Sequence, residues 1–236
     1  MATAVITGAS RGLGRALAES LLGDGWNLVI DARNAGDLGR TVAEFHNTDP
    51  DAVVRAIAGD INDPAHRRAL VDAAAEVGGI DLLVNNASVL GPSPQPALAE
   101  YPLDVLRTVY EVNVIAPLAL VQAALPMLRR PGGVVVNITS DASVEPYEGW
   151  GGYGSSKAAL DHWTRILAAE QPTLRVYAVD PGDMRTQMHQ EAFPGDDISD
   201  RPLPESVVPA LRRLLRDRPP SGRYRASDFA TSAVTR

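Results

Sequence analysis

Cysteine is missing from all 236 residues of this chain. That excludes a disulfide framework, a thiolate metal site and a cysteine nucleophile. Histidine is scarce: His46, His66, His162 and His189 are scattered without metal-ligand spacing. They read as structural or solvent-facing, and no metal is expected. Positive charge is in deficit, with a formal net charge of -7 and a pI near 5.1, which argues against a nucleic-acid partner. No Gly-x-Ser-x-Gly elbow surrounds Ser140, so a serine hydrolase is not indicated. A long unbroken apolar run is absent as well. The stretch from Val112 to Leu128 is interrupted by Asn113, Pro117, Gln122 and Pro126, and reads as a buried helix, not a membrane span. A strand-like run, Ala4-Val5-Ile6, begins almost at Met1 and leaves no room for a cleavable leader. A cytoplasmic protein without a membrane partner is expected.

What is present is an alternation of short apolar runs and amphipathic stretches, 45% apolar overall. Strands are predicted at 3–7, 27–31, 52–57, 81–84, 134–138 and 174–179, with a short one near 223–226. Helices are predicted at 12–23, 35–45, 64–76, 103–128, 151–169 and 204–215. Unbroken apolar strands alternating with helices imply a parallel sheet covered on both faces. The expected fold is a single α/β domain over 1–236, a doubly wound, Rossmann-type sheet of six to seven strands with right-handed crossovers. Neither internal repeats nor a low-complexity linker interrupts it.

Two local patterns carry chemistry. Thr7-Gly8-Ala9-Ser10-Arg11-Gly12-Leu13-Gly14 lies between the first strand and the first helix. Glycine there permits a tight turn and close backbone approach to a pyrophosphate, while free helix N–H groups favour its charge. The spacing is Gly-x3-Gly-x-Gly, not the common dinucleotide fingerprint. Farther on, Tyr153-Gly-Ser-Ser-Lys157 puts a phenol and an ammonium four residues apart, on one helix face. At about 4 Å and an effective dielectric of about 20 such a pair interacts by roughly 4 kcal/mol. That is about three pK units, enough to bring a phenol from about 10 toward neutrality. Such a phenol can exchange a proton with a carbonyl or alcohol oxygen.

Together, in this order and at a separation of about 140 residues, the two motifs resemble the short-chain dehydrogenase/reductase family in its compact form. The resemblance spans nearly the whole chain. Asp60 follows the third strand, as the family's adenine-contacting aspartate does, with Ile61 beside it. Asn85-Asn86-Ala87 follows the fourth strand; the family usually continues with glycine, and this chain has Ser88. Asn113 stands where the family carries its fourth catalytic residue. Ser140 closes the fifth strand thirteen residues before Tyr153. Pro181-Gly182 follows the sixth strand, and Thr186 stands where the family contacts the nicotinamide carboxamide. The resemblance implies Tyr153 as general acid or base, Ser140 on the substrate oxygen, Lys157 on the phenol and the nicotinamide ribose, and Asn113 holding a water that links Lys157 to solvent. It implies cofactor contacts from Gly8, Ser10, Arg11, Gly12, Leu13, Gly14, Asp60, Ile61, Asn86, Ala87, Tyr153, Lys157, Pro181, Gly182 and Thr186.

The cofactor choice turns on the end of the second strand. An acid there favours a free ribose 2′-hydroxyl, and arginine a 2′-phosphate. Counted from Gly25, the family's acidic position is Ala32 and its arginine position Arg33. Asp31 falls on the opposite face of the strand. With Arg11 in the glycine loop, NADP is favoured over NAD. The substrate is expected to be an aldehyde, ketone or secondary alcohol with an apolar body, lined by Val89, Leu90, Ala142, Val144, Trp150, Met184 and Met188. Asp141, Glu145 and Glu148 read as a solvated rim, and 187–203 as a mobile lid. Leu160, Trp163 and Leu167 read as core first. The resemblance implies a homo-oligomer, a dimer first, because the ending Ser221-Gly-Arg-Tyr-Arg and the polar tail to Arg236 depart from the C-terminus that builds the family's tetramers. The alternative to a reductase is a dinucleotide-binding redox sensor acting through a protein partner. The intact set of Ser140, Tyr153 and Lys157 speaks against it.

Overall fold

The computed structural model describes residues 1–128 and 132–230. In chain order its elements are β1 (Thr3–Ile6), α1 (Gly12–Leu22), β2 (Asn27–Ala32), α2 (Ala35–Thr48), β3 (Val54–Ala58), α3 (Pro64–Glu76), β4 (Leu82–Asn85), α4 (Leu103–Tyr110), α5 (Ala116–Leu128), β5 (Val134–Ile138), α6 (Gly151–Glu170), β6 (Arg175–Asp180), α7 (Gln187–Ala192), α8 (Val208–Asp217) and β7 (Gly222–Arg225). The strands form one parallel sheet of seven, in the order β3-β2-β1-β4-β5-β6-β7. This is the doubly wound α/β architecture expected from the alternation of elements, and the short run after Ser221 supplies the seventh strand.

Side-chain alternation along each strand divides the core in two. Ile6, Leu28, Ile30, Val84 and Val136 face α1 and α8. Val5, Val29, Leu83, Val135 and Val176 face α3 and α5. Both faces being covered, β1, β2, β4 and β5 are buried at every residue, which is why they read as unbroken apolar runs. A polar link pins three of these elements together. Asn85 Nδ2 donates to Asn137 Oδ1 at 2.7 Å, and Asn137 Nδ2 donates to Thr164 Oγ1 at 2.8 Å. It fixes β4, β5 and α6 in one register, and so fixes the helix that carries Tyr153 and Lys157.

Two helical expectations are corrected. The run 103–128 is broken by a π turn at Glu111–Ile115 between α4 and α5. Its cause is tertiary: Asn113 turns inward, 1% exposed, and takes up both the N–H and the carbonyl of Val89. This run is long and apolar enough to cross a membrane by length alone. Here Val112, Leu120, Val121, Ala124 and Leu128 lie in the sheet-facing core. The helix expected from Pro204 begins as a 3-10 turn, Pro204–Ser206, and becomes α-helical only at Val208. The stretch 187–203, read as a mobile lid, opens with α7, capped by Thr186 Oγ1, which accepts from His189 N at 3.1 Å. The polar tail ending at Arg236 lies outside the described residues.

The strand order reverses between β1 and β4, which opens a crevice at the carboxyl ends of the strands. The glycine loop crosses it and is braced from β4. Asn86 Nδ2 donates to the carbonyls of Thr7 and Gly8 at 2.8 and 3.1 Å, and Thr7 Oγ1 accepts from the N–H groups of Asn86 and Ala87, each at 3.0 Å. Gly8 and Gly12 have φ of +68 and +57, where a side chain is strained. Gly14 is needed for space. A Cβ there would lie 2.5 Å from Asn86 Nδ2 and 2.7 Å from the Gly8 carbonyl oxygen. Replacing Gly14 by alanine is therefore expected to cost about 1–3 kcal/mol in urea unfolding through forced displacement of the loop. Gly39 has nothing within 4 Å of its ideal Cβ, and Gly39→Ala within α2 is expected to be neutral or stabilising by up to about 1 kcal/mol.

Candidate active site

The crevice is a cleft of about 1520 Å³, larger than the ~300–1,000 Å³ that suits one drug-sized ligand. Gly8, Ser10, Arg11, Gly12 and Leu13 form one wall. Arg33, Asp60, Ile61, Asn86 and Ala87 continue it, and Pro181, Gly182 and Thr186 close it from the far side. Gly14 does not line the cleft; it is the packing contact described above. Arg11 is the N-cap of α1 and makes no side-chain cap bond, so no side chain caps the helix start, whose Gly12 and Leu13 line the cleft, an arrangement that suits an anion. The Arg11 guanidinium bonds Gln187 at the start of α7. Arg33 is exposed and has no hydrogen bond or ion pair among the described residues.

Asp31, the acid beside these arginines, is already committed. It is 2% exposed; its Oδ1 accepts from Gly8 N at 2.7 Å and its Oδ2 lies 2.9 Å from His66 Nε2. His66, on α3, packs so closely against Gly59 that a Cβ there would lie 2.3 Å from its ring. Asp31 and His66 thus hold the underside of the glycine loop. No sequence signal named His66 as part of this region. The spacing of Asp31 from Gly8 links them only through the sheet, and His66 arrives from a third segment.

Ser140, Tyr153 and Lys157 meet at the end of β5 and the start of α6, and all three line the cleft. Lys157 is 2% exposed, and its Nζ donates to the Ile138 carbonyl at 2.8 Å. The ammonium stands 5.5 Å from the centre of the Tyr153 ring. Burial pulls Lys157 down to about 8, and Asp161, one turn farther along α6, opposes that fall. The expected lowering of the Tyr153 phenol by Lys157 is not what this geometry yields. Tyr153 is 8% exposed, and burial pushes the phenol well above its ordinary value, with the Ser88 hydroxyl acting in the opposite direction. The phenol is therefore held protonated at neutral pH.

Ser140 Oγ donates to Asp141 Oδ1 at 2.9 Å and accepts from Ala142 N at 3.2 Å. Beside it, the Thr139 hydroxyl is buried without a hydrogen-bond partner among the described residues. Asn113 lies behind the cleft wall. Its Oδ1 accepts from Ser88 Oγ and Val89 N, and its Nδ2 donates to Val89 O and Ser156 Oγ. All four capacities of the amide are filled. Ser88, noted in the sequence only as a departure from glycine, joins Asn113 to the surroundings of Tyr153.

Rings line the outer part. Trp150 stands edge-on to Tyr153 at 5.9 Å and to Tyr147 at 6.3 Å, and meets Phe193 at 5.9 Å. Val89, Leu90, Met184 and Met188 line the cleft as expected. Val144 does not: it is 54% exposed, on the outside of the turn after β5. Ala142 is buried against Leu90 and Tyr153 instead of lining the opening. Asp141 and Glu148 reach the cleft and Glu145 does not. Leu160 and Leu167 are core residues, with Trp163 packed against the same core. Among the described residues no group of His, Cys, Asp and Glu could hold a metal ion.

One more sequence signal singles out this site. Lys157 is the sole lysine in the chain, every other basic side chain apart from histidine being arginine.

With that geometry established, similarity to known proteins is informative. The family model described as short chain dehydrogenase matches residues 2–197. Sepiapterin reductase of Mus musculus is 35% identical over 202 residues, covering 81% of this chain and 77% of that protein. A benzil reductase of Saccharomyces cerevisiae is 32% identical over 220 residues, covering 90% and 81%. The solved short chain dehydrogenase of Shigella flexneri, complexed with NADP, superposes with a TM-score of 0.88 at 27% identity, covering 96% of this chain and 97% of that one. A family match across most of the chain, on a sheet whose crevice gathers the glycine loop, Ser140, Tyr153 and Lys157, leads to one conclusion: this protein belongs to the short-chain dehydrogenase family.

Proposed function

We propose that the protein is a cytoplasmic NADP-dependent carbonyl reductase, or alcohol dehydrogenase in reverse, acting on a carbonyl compound with a flat, apolar body. The observation that carries this reading is the protonated, buried phenol of Tyr153 beside the buried amine of Lys157, in the same cleft as the glycine loop. The residues present fit a phosphorylated dinucleotide. The uncapped N-terminus of α1 suits the pyrophosphate, and the two exposed guanidiniums of Arg11 and Arg33 suit a 2′-phosphate. Asp31, spent on Gly8 and His66, is not available to a ribose hydroxyl. The Shigella flexneri relative is a complex with NADP, which supports the same choice.

NADPH, when bound, supplies the hydride. The chain's own residues handle orientation and the proton. Tyr153 Oη, protonated at neutral pH, gives its proton to the carbonyl oxygen as charge develops there. Ser140 Oγ turns its proton from Asp141 to that same oxygen and steadies it. The Ser88 hydroxyl stabilises the phenolate that Tyr153 becomes, and Lys157, beside the ring, is placed to hold the nicotinamide ribose. In alcohol oxidation the phenolate must form first, so that direction accelerates as pH rises, whereas reduction starts from the form that burial already favours. Trp150, Tyr147 and Phe193 offer ring faces and edges to the body of the substrate. The set Ser140, Tyr153 and Lys157 gives a proton donor to a site that a redox sensor would not need.

The test is turnover of a panel of aldehydes and ketones with NADPH, followed at the nicotinamide absorbance. Tyr153→Phe is expected to lower kcat by about 10²–10⁴-fold, the usual worth of a positioned acid, with NADPH affinity kept. Tight cofactor binding without turnover across the panel would reject the enzyme reading. Arg33→Ala is expected to weaken NADPH binding about tenfold or more while leaving NADH binding unchanged, in line with the loss of a charge-assisted phosphate contact worth about 1.5–3 kcal/mol. Fluorescence titration with both cofactors reads this directly, and equal losses for the two would overturn the assignment of Arg33.

A further inference from the structure

A charged cluster behind Ser140 and Lys157 has no task in the mechanism above. Arg223, in β7, donates from Nε to Asp161 Oδ2 at 2.9 Å and from Nη2 to the Ser140 carbonyl at 3.0 Å. The same Nη2 lies 3.4 Å from Asp180 Oδ2 and 3.4 Å from Ser143 Oγ. Ser143 Oγ in turn donates to Asp161 Oδ2 at 2.6 Å. One guanidinium therefore ties together the end of β5, the end of β6 and α6. The Arg223 side chain is 22% exposed, and the two carboxylates 7% and 6%. The contacts are thus largely shielded from solvent and salt.

Asp161 follows Lys157 by four residues on α6, so the two share a helix face. Lys157 has no ion-pair partner among the described residues, its Nζ being held by the Ile138 carbonyl. The titratable and charged groups around it are Tyr153 and Asp161 on its own helix, Asp141 from the turn after β5, Asp180 from β6, and Arg223 from β7. The π turn at Glu111–Ile115 bonds α6 through the neutral Asn113. We infer that Arg223 is a positioning residue, which holds the Ser140 backbone in place and offsets the charge that Asp161 presents to Lys157 one turn away.

The physical basis is the sign of each charge. A bare carboxylate one turn away favours the ammonium form of Lys157, and Asp161 acts in that direction against burial. A guanidinium bonded to that carboxylate cancels part of its field. This inference rests on the reading of Lys157 as the amine of the site. The contact of Arg223 with Asp161 and with Ser140 is a property of the fold regardless of substrate.

Because the chain has a single lysine, protein labelled with ¹⁵N-lysine gives one side-chain signal, and its pH titration by NMR reports Lys157 without any turnover. The wild-type midpoint is expected near 8. Arg223→Met should raise it by about half a pH unit or more. Arg223→Lys, which keeps the charge and adds a second lysine signal identified by its absence from Arg223→Met, should restore the Lys157 midpoint close to wild type, and Asp161→Asn should lower it below wild type. An unmoved midpoint in Arg223→Met overturns the inference. So does an equal rise in Arg223→Met and Arg223→Lys, which would mark loosened packing alone. If Arg223→Met does not fold, Asp161→Asn decides: a midpoint that fails to fall overturns it. Failure of the oxidoreductase reading would show separately, as a wild-type protein that reduces no carbonyl while this titration is unchanged.

Discussion

One ammonium taken out of water organises the centre of this molecule. Removing a cation from solvent costs several kcal/mol unless dipoles and opposite charge compensate. Lys157 is compensated by a carbonyl at the end of β5 and, at longer range, by a carboxylate on its own helix. Both depend on α6 lying in one position over the sheet. The Asn85–Asn137–Thr164 link provides that position from beneath, and Arg223 provides it from the sheet edge. The burial that makes the amine costly also excludes water from Tyr153, and so keeps the phenol protonated. Donor strength and helix placement are therefore two aspects of one packing arrangement.

The other half of the cleft follows a different logic. The charged side chains at its opening, Arg11, Arg33 and Asp60, are exposed. Its order comes from backbone groups fixed by short polar side chains: Thr7 and Asn86 across the seam between β1 and β4, and Asp31 with His66 below the glycine loop. Such a loop presents N–H groups without having to reorganise when an anion arrives. The family match over residues 2–197 spans both halves.

Legibility in the sequence varied with the range of the cause. α3 was readable from Pro64 onward, where Asp63 caps it in the structure, and β5 because three consecutive valines are buried on both faces. The glycine loop and the Tyr153–Lys157 pair were readable because each is a local pattern on a single element. The π turn was not, since it is set by Asn113 bonding to Val89 across 24 residues. The state of the phenol was misjudged for a similar reason. Pair spacing gives the attraction of an amine, whereas burial is set by Leu90, Ala142 and Trp150, which reach Tyr153 from separate segments. Arg223 stood out only as a departure at the C-terminus, because its partners lie 43 to 83 residues away.

The buried bond between Asp31 and His66 limits how the chain could be re-engineered for a different coenzyme. A carboxylate stands at the end of β2, yet it cannot be recruited by trimming the arginines around it, because both its oxygens already support the loop. Freeing it would remove the support of Gly8 at the moment a new ligand needed that backbone. An acid would have to be introduced at Ala32 instead, a site 7% exposed and paired with Ala58 of β3. Adaptation along this edge is thus a matter of rebuilding two neighbouring strands together, not of exchanging one charge.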